Sequence, residues 1–91
     1  MHAEYKMPGG KLLVINLQVQ AGRLQDVQLS GDFFLEPAEA LASINQLLEG
    51  LPADCSEEYI CHHLTQSLEG KVEMYGISPA AIAAVVRRAL V

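Results

Sequence analysis

The chain has no tryptophan, two phenylalanines and three tyrosines in 91 residues. So few rings exclude an aromatic core, and the interior has to be built from Leu, Ile, Val and Ala. Cysteine is equally scarce. Cys55 and Cys61 make no disulfide framework of the kind that staples small secreted domains, and cytosolic thiols are usually reduced. Cations are few as well: six Lys and Arg stand against eleven Asp and Glu, a formal net charge of −5. That balance argues against a nucleic-acid partner, which is held by neutralising phosphates, and against an anionic membrane surface. No apolar run approaches the roughly 20 residues that cross a bilayer. The start, Met1-His2-Ala3-Glu4-Tyr5-Lys6, has neither the charged head nor the apolar stretch of a secretory signal. These absences predict a cytoplasmic protein.

What is present suffices for one compact unit. Half of the residues are hydrophobic (51%), ample for one core and too many for a disordered chain. No internal repeat, low-complexity tract or linker interrupts the sequence, so residues 1–91 are read as a single domain. A chain of this size buries only about two-thirds of its unfolded surface, and its stability should be modest.

The N-terminal half has strand periodicity. Tyr5 to Gly10 reads as an extended arm ending in a turn, because Pro8 fixes its own φ and biases Met7 toward extended geometry. From Lys11 to Gln20, Leu13, Ile15, Leu17 and Val19 fall on one face and Asn16, Gln18 and Gln20 on the other, the alternation of a half-buried strand. Ala21-Gly22 predicts a tight hairpin connection. Arg23 to Phe33 reads as the partner strand. Within it Leu24 is out of phase with Val27, Leu29, Gly31 and Phe33, and a β-bulge near Gln25-Asp26 would return them to one face.

The C-terminal half has helical periodicity. Pro37 suits the first position of a helix, and Leu41, Ile44, Leu48 and Leu51 then recur at helical spacing beside Ala40 and Leu47. Gly50 and Pro52 end that helix. Asp54, with Glu57 three residues on, suggests a capped start to a second helix. Ile60, Leu64 and Leu68 line that helix, Cys61 sits on its flank, and Gly70 closes it. Lys71 to Gly76 alternates weakly enough to suit a short strand. Ser78 as N-cap and Pro79 as first residue mark the last helix, whose apolar face is Ile82, Val85, Val86, Ala89 and Leu90. Arg87 and Arg88 complement the dipole at its end. The expected fold is α+β: a small antiparallel β-sheet, hairpin or meander, covered by about three helices.

Candidates for chemistry are thin. Cys55, Cys61, His62 and His63 lack the paired ligand spacings of a structural zinc site, and the adjacent histidines point about 100° apart on a helix. Cys61 reads as a small hydrophobe on a helix flank, with no positioned base. Gly9-Gly10-Lys11 lacks the spacing of a phosphate loop and is followed by a strand rather than a helix. Asp32, between Gly31 and two phenylalanines, reads first as a cap on backbone N–H groups near Pro37 and second as a polar contact inside an interface. Phe33 and Phe34 face opposite ways in an extended chain. One enters the core, and the other is left for solvent or a partner.

One run stands out as a set: Tyr5-Lys6-Met7-Pro8-Gly9-Gly10-Lys11-Leu12, then a strand from Leu12 to Gln20, a turn at Gly22, a second strand from Leu24 to Leu29, and the junction Gly31-Asp32-Phe33-Phe34-Leu35-Glu36-Pro37. In this order and spacing the chain resembles the C-terminal accessory domain of lipoate–protein ligases, which in some systems is a separate small subunit. The likeness is good from about Tyr5 to Gly50, with Leu41 where that family's helix packs. It is weaker beyond, although the helix from Pro79 to Leu90 is similar in kind. The resemblance implies a fold shared with iron–sulfur scaffold proteins of the SufE/NifU type, but the cysteine ligands of a scaffold are missing.

The resemblance also implies a role. Enzymes of this family activate lipoate with ATP to lipoyl-AMP and pass the lipoyl group to a lysine of a lipoyl-domain acceptor protein. The sites for ATP, Mg and lipoate belong to the large catalytic subunit, so this chain alone is expected to bind no cofactor and to be non-catalytic. Its expected partners are that large subunit directly and the lipoyl domain indirectly. The expected contacts are Tyr5, Lys6, Pro8, Gly9, Gly10 and Lys11 of the arm and Asp32, Phe33 and Phe34 of the junction. The competing readings are an interaction or scaffold module related to sulfur or iron–sulfur assembly and, last, a small enzyme, for which no acid, base and nucleophile converge.

Overall fold

The computed structural model describes residues 1–8 and 11–91; Gly9 and Gly10, two of the expected arm contacts, lie outside the described residues. Among these residues the chain is α+β, with three helices and two small antiparallel sheets. The first sheet has the order β1-β2-β3, from His2–Lys6, Leu12–Gln20 and Arg23–Gly31. The second is a ribbon of β4 (Phe34–Glu36) and β5 (Glu73–Tyr75). The helices are α1 (Ala40–Leu48), α2 (Glu57–Leu68) and α3 (Pro79–Leu90).

The arm is extended through Lys6 and turns at Pro8, as expected, but it starts earlier and is paired. His2–Lys6 is a full strand, paired antiparallel with β2 from His2 opposite Asn16 to Lys6 opposite Leu12. Its signal was hidden because a five-residue strand shows too few alternations to stand out. Its inward residues, Ala3 and Tyr5, meet α3, with Ala3 buried and Tyr5 half-buried.

The β2–β3 hairpin forms as expected. Ala21 (φ 53°) and Gly22 (φ 77°) both take positive φ, the geometry of a turn whose twist matches the flanking strands. The bulge is present too. The register shifts between Asn16, opposite Gln28, and Gln18, opposite Gln25, so Asp26 and Val27 share one partner. Asp26 takes the strain at φ 54°, a conformation that Asp tolerates better than most residues. The extra residue puts Leu24, Val27 and Leu29 on one buried face with Leu13, Ile15 and Leu17.

Helices α1 and α3 cover that face, α1 against β3 and α3 against β1 and β2, and α2 packs on both of them. The core is aliphatic, as the shortage of rings requires. Leu13, Ile15, Leu24, Ile44, Leu48, Ile60, Leu64, Ile82, Val85 and Val86 are fully buried. Five alanines of α3 carry no bulk beyond Cβ, and Ala81, Ala83 and Ala89 are buried along with Ile82.

Two helix starts differ from expectation. Pro37 is not the first residue of α1, which begins three residues later, after a tight turn closed by Ala40 N–H donating to the Pro37 carbonyl at 3.0 Å. The reason lies upstream: Glu36 is held extended in the ladder opposite Glu73, so the chain turns before it coils. Asp54 does not cap α2. It sits inside a turn closed by Cys55 N–H donating to the Pro52 carbonyl, and Ser56 takes the cap, its Oγ accepting Tyr59 N–H at 3.0 Å. The last helix starts as read, with Ser78 Oγ accepting from Ala81 N–H at 3.1 Å and Pro79 at its first position.

The outer edge of β3 is not left open. Val27 N–H donates to the Glu49 carboxylate at 2.6 Å and Leu29 N–H to the Asn45 side-chain carbonyl at 3.1 Å. Both partners lie at the end of α1, so the helix that covers the face also occupies the edge donors that would otherwise pair with another chain.

Candidate partner-docking site

The junction after β3 is shaped by one glycine. Gly31 has φ 146°, and a Cβ there would lie 2.2 Å from the Leu12 carbonyl oxygen. Only glycine lets β3 pass that close to β2 while the chain turns away. Asp32 N–H then donates to the same carbonyl at 3.0 Å, which anchors the crossing to β4. The Asp32 carboxylate is exposed and forms no cap near Pro37 among the described residues, contrary to the first reading of that residue.

From this anchor the two phenylalanines diverge. Phe33 is half-buried and packs against the core, whereas Phe34 is 79% exposed. Phe34 stands directly opposite Tyr75 in the β4–β5 ladder, and Tyr75 is itself 51% exposed. Between them Leu35 is buried and Met74 half-buried, so the ribbon has an inner aliphatic side and an outer aromatic one. The Tyr75 hydroxyl donates to the Glu73 carboxylate. That bond, followed by the Glu73 charge, pushes the phenol above its ordinary range and keeps it protonated.

Lys11 joins from the other side. Gly76, at φ 78°, follows Tyr75, and a Cβ there would be 3.2 Å from the Asp32 carbonyl oxygen and 3.6 Å from the Lys11 Cγ. The result is an open depression of about 360 Å³ lined by Lys11, Gly31, Asp32, Phe33, Phe34, Tyr75 and Gly76. Four residues expected from the sequence, Lys11, Asp32, Phe33 and Phe34, therefore meet in one place. Tyr75 and Gly76 were missed. The outward phase of Tyr75 was legible in the alternation of Val72, Met74 and Gly76, but not that β5 would pair with β4.

The other expected contacts lie elsewhere. Tyr5 and Pro8 border a second depression of about 380 Å³ with Met7, Ile77 and the start of α3. The Tyr5 ring lies beneath the Arg88 guanidinium, 5.1 Å from centroid to carbon, a cation–π contact. Arg88 also donates to the Glu4 carbonyl at 3.3 Å, tying the end of α3 to β1. Lys6 is exposed on β1. Tyr5 is thus engaged within the fold, and the arm is joined to the junction through Met7 N–H donating to the Lys11 carbonyl at 2.7 Å.

The cysteines and histidines do not converge. Cys55 and Cys61 are both free and half-buried. Burial pushes the Cys55 thiol up, against the opposing pull of Arg87. His63 stacks on Tyr59, ring centroids 6.1 Å apart, and its Nε2 lies 3.2 Å from the Leu47 carbonyl oxygen, while His62 is exposed. Among the described residues no three His, Cys, Asp or Glu side chains are grouped to hold a metal ion, and no helix is long and apolar enough to cross a membrane. The groups gathered at the junction are exposed rings, an ammonium and carboxylates, none of the polar groups buried.

No family model and no curated protein matches the chain. Its fold is similar to a solved chain, at TM-score 0.73 and 23% identity, over 96% of this chain and 98% of the other. That chain comes from a structural analysis of an archaeal lipoylation system, a bipartite lipoate protein ligase and its E2 lipoyl domain from Thermoplasma acidophilum.

Proposed function

We propose that this chain is the non-catalytic small subunit of a lipoate–protein ligase. It works with a large catalytic subunit in the ATP-dependent activation of lipoate to lipoyl-AMP, before transfer to a lipoyl-domain lysine. The observation that carries the reading is the fold likeness, nearly end to end in both chains, to a chain from a bipartite ligase system. A cytoplasmic location and a single accessory domain belong to the same reading.

In this role the chain acts by docking. ATP, Mg and lipoate are held by the large subunit. The small subunit presents the Lys11, Asp32, Phe34 and Tyr75 surface, and exposed aromatic anchors of this kind carry much of the energy of protein interfaces. Docking orders a segment of the large subunit over the adenylate, excludes water and aligns the reacting groups. The first chemical step gains most, because it brings two separate substrates together. Transfer from preformed lipoyl-AMP needs less help.

The test is to titrate the purified large subunit with this chain. Lipoate-dependent formation of lipoyl-AMP from ATP is followed alongside complex formation on a sizing column. Stimulation that saturates at one chain per large subunit is the expected result. Absence of both complex and stimulation rejects the proposal, and lipoate appearing on a lysine of this chain would make it an acceptor instead.

A further inference from the structure

The β4–β5 ribbon is built in a way that its own stability does not explain. On its outer face Phe34 opposes Tyr75, and one step along the ladder Glu36 opposes Glu73. Directly opposed like charges weaken a strand pair, and a ladder of three residues on each side is short to begin with. All four residues are exposed. Lys71 lines the depression beside the two carboxylates, yet neither carboxylate forms an ion pair among the described residues. The only described hydrogen-bond partner of the Glu73 carboxylate is the Tyr75 hydroxyl, a neutral group.

Two rings beside two unneutralised carboxylates make a surface complementary to one kind of side chain. We infer that the outer face of β4–β5 receives an arginine-bearing segment of the catalytic subunit, with the guanidinium against Phe34 and Tyr75 and its N–H groups donating to Glu36 and Glu73. Successive outward residues of a strand lie roughly 7 Å apart, within the span of one arginine head and its stem. Arginine fits better than lysine because its flat, weakly hydrated head stacks on rings and presents a fork of donors to carboxylates. The net charge of −5 attracts a cationic partner surface over longer range. The inference rests on the small-subunit reading and deepens it by naming the chemistry of the contact.

The test uses the intact chain and the purified catalytic subunit, with affinity measured by calorimetry at low and at moderate salt. The variants are the double substitution E36Q and E73Q, and separately F34A. The glutamines remove a repulsion, so the double variant should fold at least as firmly as the parent, which its urea midpoint checks. Each variant is expected to bind at least tenfold more weakly, and the double variant to lose part of the salt dependence. The inference is overturned if the double variant binds like the parent, if its affinity falls with no change in salt dependence, or if F34A has no effect. In those cases the parent still binds and the small-subunit reading stands. If the parent itself forms no complex, both fall.

Discussion

The three-stranded sheet and the two-stranded ribbon treat their side chains in opposite ways. In the sheet the central aliphatic residues of the helix-facing side are hidden: Leu13, Ile15, Leu24 and Leu29 have 3% of their surface exposed or less. In the ribbon the largest residues point outward, with Phe34 at 79% and Tyr75 at 51%. A chain with two phenylalanines that leaves one of them in water is not using it for its own stability. The aliphatic side chains of the sheet build the core, and the outer rings of the ribbon do not. Gly31 is the seam between them, the last residue of β3 and the start of the crossing.

The contrast breaks first in the core. Ile15→Ala, under helix α3, should cost about 2–5 kcal/mol through lost burial and the cavity left behind, a large share of the stability of so small a chain, measured by urea unfolding. A cost below about 1 kcal/mol would place the stabilising core elsewhere. At the seam, Gly31→Ala meets a backbone oxygen at 2.2 Å and a backbone conformation that costs side chains of order 1–3 kcal/mol. It should destabilise the fold by at least that much and shift the amide signals of Leu12 and Asp32.

The ribbon should behave in reverse. Phe34→Ala is expected to change stability by no more than about 0.5 kcal/mol, the usual range for exposed positions, while weakening the complex. If it destabilises the free chain by 2 kcal/mol or more, Phe34 is a core residue and the contrast collapses. The smallest effect lies at the open edge of the sheet. There the Asn16 side chain, 2.8 Å from His2 Nδ1, and then Glu4 hold the His2 imidazole above the ordinary histidine range of about 6.5. A raised pKa means that the protonated ring is favoured in the fold. The small stability it adds is complete below pH of about 6.5 and disappears as the pH rises through the folded value. Histidine signals followed against pH by NMR should show His2 titrating above the ordinary value, and Asn16→Ala should lower it.

Much of this was legible in the residues. The β2–β3 hairpin followed from period-two alternation and Ala21-Gly22. The bulge followed from the phase error at Leu24, because a slip of one residue would have turned Val27 and Leu29 outward. The Ser78 and Pro79 start of α3 followed from local capping chemistry, as did the opposite fates of Phe33 and Phe34 from strand geometry. Four of the expected contacts, Lys11, Asp32, Phe33 and Phe34, came together. The misses share one cause. Pro37, Asp54 and Asp32 were assigned by local preference, and each local preference had several places where it was equally well met. Long-range pairing chose among them: Glu36 opposite Glu73 delayed α1, and the turn at Pro52 moved the cap of α2 to Ser56.

Local composition and periodicity settled the class of the fold, its aliphatic core and the ends of most elements, because each depends on neighbours within a few residues. Folding in three dimensions settled which segments meet: β1 on β2, the side chains of α1 on the edge of β3, and β5 on β4. Those pairings join residues up to about forty positions apart, and nothing in a short window encodes the closure of so long a loop. The exposed pairing of Phe34 with Tyr75 is of this second kind, and so is the surface that the proposed function depends on.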